Sequence, residues 1–417
     1  MTPTAPSEDP LRNADDADAP ARASAELNGL TALSALLAVT LVMRGPVTMV
    51  GPLGPELSAL LSLTPADFGV LTALPIALFG LGSFAAAPLA GRFGLRQGAA
   101  LAVLLVLLGT FARAVPSWWP LLAATGVAAL GIAILNVLIP VVIKTAFSGS
   151  VGRVMGIYTG VVGLSGALGG LTAVPLAAAL GVAAPTCAWG VVAAAALVFW
   201  RCRAPKGVDA ASSASSATSA NSGSGAFARL LRSSTAVALI GVMGVQSLLI
   251  YTVAAWLPGW LQNLGTSAEM SGTWLFIYLV SGLPASVLTP RFMRWCGSER
   301  TAECVLAGLY LFGVAGWTVG GAWLFPASIA AGASQGAMLS VAFLLMAEKT
   351  SGTREMLAMS ALAQGVGYLF AGTGPWIFGL LLESGGEAGW MSGWIFTAVM
   401  IALWAAAGWM AARRRRI

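Results

Sequence analysis

The chain has 417 residues, 58% of them hydrophobic and only 9% charged, with a mean hydropathy of +0.84. That composition excludes an ordinary soluble protein and requires a polytopic helical membrane protein. The formal net charge of +6 sits on segments flanking the apolar runs, so it reads as topology charge rather than a nucleic-acid patch.

Residues 1–28 are polar and rich in Ala and Pro, with six acids against two arginines, which predicts a disordered tail. No cationic stretch there precedes a short apolar core with a small-residue cleavage site, so a cleaved signal peptide is not expected. The first apolar run, 30–53, is long enough at about 1.5 Å per residue to cross a hydrocarbon core of about 30 Å. It carries Arg44 roughly 20 Å along its length, too deep to snorkel to the surface. A charge at that depth costs about 2.5–3.5 kcal/mol on insertion scales. Two readings stand open: a counter-charge for cargo, or a structural arginine held by backbone carbonyls. The lack of any acid in the run puts the first ahead. Gly45, Pro46 and Gly51 strengthen it, because they loosen the helix beside the charge and free backbone groups to face a cavity.

Eleven further apolar runs follow, at 68–90, 98–114, 118–143, 155–180, 182–200, 235–257, 271–289, 303–322, 323–347, 356–382 and 391–411, making twelve spans. Arg92, Arg96, Lys144, Arg153, Arg291, Arg294, Arg300, Lys349, Arg354 and Arg413 to Arg416 all fall on the side of the two termini. The opposite loops hold Arg113 with five acids, Glu56, Asp67, Glu269, Glu383 and Glu387. The positive-inside rule then places both termini in the cytoplasm. Residues 201–232 contain a stretch made almost wholly of Ala, Ser, Thr, Gly and Asn, a flexible linker dividing the spans six and six. The predicted organisation is a 1–28 tail, a 29–200 bundle, a 201–232 linker, a 233–412 bundle and a basic 413–417 tail.

Span four carries Asn136, Pro140 and Lys144 four residues apart, hence on one face. Span seven carries Gln246, Ser247 and Tyr251, followed by Trp256-Leu257-Pro258; span eleven carries Ser360, Gln364 and Tyr368 four apart, with Pro375 beyond. Such amides and hydroxyls line a pathway or act as interhelical glue worth about 0.6 kcal/mol each. Lys144 is placed at the cytoplasmic mouth, for topology or gating. Glycines at 156, 160, 163, 166, 169 and 170 let span five approach and slide against a neighbour. Spans three, six and twelve look featureless and suited to lipid.

The chain has no histidine and no Asp or Glu in the middle of a run; Glu303 and Glu348 lie at cytoplasmic ends. Cys187, Cys202, Cys296 and Cys304 form no CxxC pair and read as ordinary thiols. There is no P-loop, dinucleotide fingerprint or nucleophile–base set, so neither an enzyme nor an ATP-driven pump is expected, and no cofactor or metal.

The halves overlay in parallel register. Gly80, Pro88 and Arg92 match Gly282, Pro290 and Arg294, and Arg153, Met155 and Pro175 match Arg354, Met356 and Pro375, each about two hundred residues on. Parallel six-helix halves are the mark of the major facilitator architecture. Arg44 to Leu53 with its Val50-Gly51-Pro52-Leu53 ending, Asn136 to Pro140 with Lys144 and Phe147, Gly156-Ile157-Tyr158, Gln246-Ser247 with Tyr251 and Ala255 to Pro258, and Ser360 with Gln364 to Tyr368 and Gly374-Pro375 resemble the cyanate and nitroimidazole transporter family of that superfamily. The resemblance covers residues 30–411. It implies an all-α fold of twelve helices in two bundles, alternating access, and transport of small compounds, cyanate in one branch and 2-nitroimidazoles in another. The superfamily's usual acidic residue is missing from Gly91-Arg92-Phe93-Gly94-Leu95-Arg96, so a charge latch on that loop is not expected in its customary form.

The reading is a monomeric carrier in a bacterial inner membrane for a small anionic or polar molecule. Arg44 supplies the counter-charge, Asn136, Gln246 and Gln364 hydrogen bonds, and Tyr251 and Tyr368 walls and hydroxyls; Lys144, Arg92, Tyr158 and Trp256 serve gating or topology. A multidrug or nitroimidazole exporter is the alternative, and a non-transporting receptor a third reading.

Overall fold

The computed structural model describes residues 29–205, 232–350, 353–383 and 385–413. The 1–28 tail, most of the expected linker and residues 414–417 lie outside them.

Among the described residues twelve helices are long and apolar enough to cross a membrane. Spans one to six run Gly29–Thr48, Pro65–Gly82, Pro88–Ala112, Trp118–Ala146, Val151–Leu180 and Ala184–Arg203. Spans seven to twelve run Ser234–Asn263, Ala268–Cys296, Glu299–Val319, Gly321–Lys349, Met359–Leu382 and Gly386–Ala411. Odd-numbered spans lead away from the side where the described chain begins and ends, here the terminus side, toward the far side. Spans two and three continue as one helix bent at Gly94, whose φ of 80° is open to glycine at no Cβ cost.

Small residues set the contacts. A Cβ on Gly332 or Gly336 would lie 2.0 Å from the Tyr278 or Gly282 carbonyl, so spans eight and ten touch backbone to backbone. Span seven is the most enclosed, with 78% of its apolar window buried, and span eight the least, with 28%. The expectation that spans three, six and twelve are merely lipid-facing is corrected. Trp394 and Trp404 of span twelve are buried to within 2%, and the end of span three turns Arg113 inward, leaving it 7% exposed. Glu303, near the terminus-side end of span nine, is buried at 1% exposure against Gly408, with neither carboxylate oxygen hydrogen-bonded.

The largest contacts between the halves are spans two with eleven and five with eight, and span seven also meets span two and the short helix Gly54–Leu61. On the far side the contact is tight. A Cβ on Gly51 would meet the Ala254 carbonyl at 2.0 Å, one on Gly379 the Pro65 carbonyl at 2.4 Å, and one on Gly272 the Gly170 carbonyl at 2.7 Å. Toward the terminus side spans five and eight part. Gly170, Gly166 and Gly163 meet Leu275, Leu279 and Leu283 in turn, whereas Gly160 and Gly156 on the same face meet nothing within 4 Å.

Candidate functional site

Span one does not cross as one helix. It is helical over 29–41, breaks at 42–44, and resumes over Gly45–Thr48, with Arg44 at the junction (φ −131°, ψ −35°). The cause is local: Pro46 has no N–H to offer the Val42 carbonyl, and Gly45 adds freedom beside it. Every carbonyl freed in hydrocarbon needs a donor, and the structure shows where several find one. The Ser165 hydroxyl of span five inserts between Leu41 and Gly45, donating to the Leu41 carbonyl and accepting from the Gly45 N–H at 2.9 Å. The Arg44 N–H reaches the same hydroxyl at 3.3 Å. The Met43 carbonyl accepts from Arg44 Nη1 at 3.1 Å, and the Pro46 carbonyl from Arg113 Nη1 at 2.5 Å. Thr48 then ties the second piece to span five, its hydroxyl donating to the Gly166 carbonyl at 2.6 Å. Gly169 makes room for this, since a Cβ there would lie 2.4 Å from the Gly45 carbonyl.

Ser165 thus takes the part of an inserted water in the helix ladder. Ser165→Ala is expected to leave the Leu41 and Gly45 groups unpaired and to lower stability by about 1–3 kcal/mol. Thermal unfolding in detergent checks this, with an unchanged midpoint counting against the stitch.

Arg44 remains partly accessible, and among the described residues no carboxylate is paired with it. Its guanidinium carbon lies 4.9 Å from the ring centre of Phe79 on span two, a cation–π arrangement. The hydroxyls of Tyr158, Tyr251 and Tyr368, from spans five, seven and eleven, stand within range of its charge. Phe79 also meets Tyr251 at 6.1 Å and Tyr368 at 5.9 Å, so one ring joins the three groups. Both halves contribute, with Arg44, Phe79 and Tyr158 on one side and Tyr251 and Tyr368 on the other. The alternative of an arginine spent wholly on main-chain oxygens does not describe this geometry, because one carbonyl takes one of five donors.

The other expected residues are distributed differently. Asn136 is partly exposed, with its Nδ2 buried and unpartnered. Gln364 is partly exposed and donates to Ser360 Oγ at 3.0 Å. Gln246 is 3% exposed, donates to Ser247 Oγ at 2.8 Å and accepts from Gln335 Nε2 at 3.0 Å, so its amide is engaged between spans seven and ten. Lys144 and Arg92 are exposed, and Arg92 lies over the ring of Phe93 at 5.3 Å. Trp256 belongs to the far side, where it donates to the Pro375 carbonyl at 2.9 Å, stacks on Phe378 and meets Phe68 across the halves at 5.1 Å. Sequence reasoning missed Phe79, Ser165 and Gln335. The one available signal was for Ser165, a serine set between Gly163 and Gly166 in the glycine stripe of span five.

The twelve-helix architecture that holds this cluster has relatives. The family model described as Major Facilitator Superfamily matches residues 36–325. The chain belongs to that superfamily. Its members are transporters, not enzymes, and this facilitator is a multi-pass membrane protein of twelve spans. It is 29% identical over 393 residues to the 2-nitroimidazole transporter of Escherichia coli, covering 94% of this chain and 97% of that one. It is 26% identical over 376 residues to the cyanate transport protein CynX of the same organism, covering 88% and 94%. Among solved structures, the nucleoside transporter NupG superposes with a TM-score of 0.75 at 13% identity, covering 93% of this chain and all of that one. The D-xylose-proton symporter superposes with a TM-score of 0.73 at 15% identity, covering 93% and 97%. The facilitator fold expected from the repeat is therefore present.

Proposed function

We propose that this facilitator carries a small anionic or strongly polar compound, cyanate-like or nitroimidazole-like, by alternating access in a bacterial inner membrane. The carrying observation is Arg44, a partly accessible cation with no acid partner among the described residues, ringed by groups from both halves. An arginine is always charged and presents a planar fork of donors, which suits a carboxylate, a linear anion or a nitro group. Asn136, with an unpartnered donor, and Gln364 supply further directional contacts, and the tyrosines and Phe79 supply walls. Gln246 is kept as a strut rather than a contact, since its amide is engaged. With both termini in the cytoplasm, as the loop charges suggest, the parting of spans five and eight supports an inward-facing reading. Import and export remain equally served by this geometry.

A second reading is supported by Phe79, Tyr251 and Tyr368. Three rings beside a guanidinium form a place for a flat nitroheterocycle, the cargo that an exporter of such compounds would need. Apolar cations do not fit either reading. A thermal-shift series on the purified protein separates them. Stabilisation by cyanate and small carboxylates alone supports the anion carrier, and stabilisation by nitroimidazoles supports the second reading. A ligand at one hundred times its dissociation constant adds about 2.7 kcal/mol. Stabilisation by lipophilic cations with no response to either class would overturn both.

A further inference from the structure

A second arginine lies behind the break. Arg113 follows span three at 7% exposure, and Thr125 of span four is 3% exposed. Both line one small cavity with Pro46, Val50 and Thr72, inside the first half, with neither Arg44, Phe79 nor the three tyrosines in its lining. Arg113 Nη1 is taken by the Pro46 carbonyl. Its Nε and the Thr125 hydroxyl are buried without any hydrogen-bond partner. Among the described residues no carboxylate pairs with Arg113.

A buried guanidinium, whose carbonyl partner supplies no charge, is costly without a counter-ion. Two donors left idle beside it give an incoming anion its hydrogen bonds, and charge-assisted ones are the strong kind. The cavity has room for a single water-sized species, which excludes carboxylates and phosphate. We infer that Arg113 and Thr125 form a site for one halide-sized anion, chloride under ordinary conditions. The bound anion neutralises the side chain that holds the Pro46 carbonyl, and so steadies the broken helix from which Arg44 projects. This inference does not rest on the substrate reading above, because it concerns a different arginine.

The test is thermal unfolding of the full-length protein in sodium chloride, bromide and gluconate at constant ionic strength. Chloride and bromide should raise the midpoint saturably relative to gluconate. Arg113→Gln should lose that dependence, and Arg44→Gln should keep it. Thr125→Val, which leaves the charge and the side-chain size in place, should raise the half-saturating chloride concentration about tenfold. Crystals grown in bromide should show an anomalous peak between Arg113 and Thr125. Equal midpoints in all three salts, dependence that survives Arg113→Gln, or dependence lost in Arg44→Gln instead would each overturn the site. Should Arg113→Gln fail to fold, an unchanged half-saturation in Thr125→Val, or a water without anomalous signal at that position, decides against it.

Discussion

Replacing Arg44 by Gln is expected to abolish transport in proteoliposomes while leaving the protein at least as stable as the wild type. The two effects have opposite signs for one physical reason. Arg44 has no carboxylate partner among the described residues, so its charge is a standing cost to the apo protein, about 2.5–3.5 kcal/mol on insertion scales. Its guanidinium donates to the adjacent Met43 carbonyl, which a glutamine amide can also reach for, and its further contacts, with the Tyr368 hydroxyl and the Phe79 ring, are individually weaker than that cost. On the proposed role, what the substitution removes is a set of charge-assisted hydrogen bonds to cargo worth about 1.5–3 kcal/mol each, or roughly ten- to hundredfold in affinity apiece. Arg44→Lys keeps the charge and loses the planar fork, so an intermediate loss of about tenfold or more is expected. Uptake and melting measured on the same preparations check the pair. Wild-type flux in both variants would falsify the counter-charge role. A large loss of stability in Arg44→Gln would instead mark Arg44 as structural.

Gly51→Ala is expected to trap the transporter open on the far side, with transport reduced at least tenfold. The added Cβ would lie 2.0 Å from the Ala254 carbonyl oxygen, and a backbone atom cannot rotate away as a side-chain tip can. Gly51 belongs to the first half and Ala254 to the second, so separating the halves relieves the clash without disturbing either interior. Dyes on Glu56→Cys and Glu383→Cys, both exposed on the far side, report that separation, which should increase in Gly51→Ala. Gly332→Ala is the control. Its clash is also 2.0 Å, with the Tyr278 carbonyl, but lies between spans eight and ten of one half. It should lower stability and leave the dye separation of the surviving folded protein unchanged. Wild-type separation and transport in Gly51→Ala would mean the far-side contact is not a closure.

These two variants also show where sequence reasoning reached and where it stopped. Arg44 was legible because a charge in an apolar run has no bland explanation, and composition alone exposes it. Tyr158 was read as part of a gate; its placement near the guanidinium needed the crossing of spans one and five, and no periodicity reports that. Gln246 and Gln364 look alike in sequence, amides five and four residues before a tyrosine. One is engaged by Gln335 across a helix contact while the other stays partly accessible. Arg113 looked like a loop charge, since it follows the last apolar residues of span three, and only the turn of the chain there buries it.

Twelve spans, their alternation across the bilayer and the parallel halves follow from the sequence by itself, because hydrocarbon forces each crossing segment to be long, apolar and internally hydrogen-bonded. The tertiary structure alone decided which polar groups are engaged by neighbours and which stay accessible. A serine 120 residues from Gly45 in the chain completes its broken helix, and a glutamine 89 residues from Gln246 engages its amide. Hydrogen bonds between helices satisfy or spare a group according to who stands opposite, and that neighbour is written in the packing rather than in the local pattern.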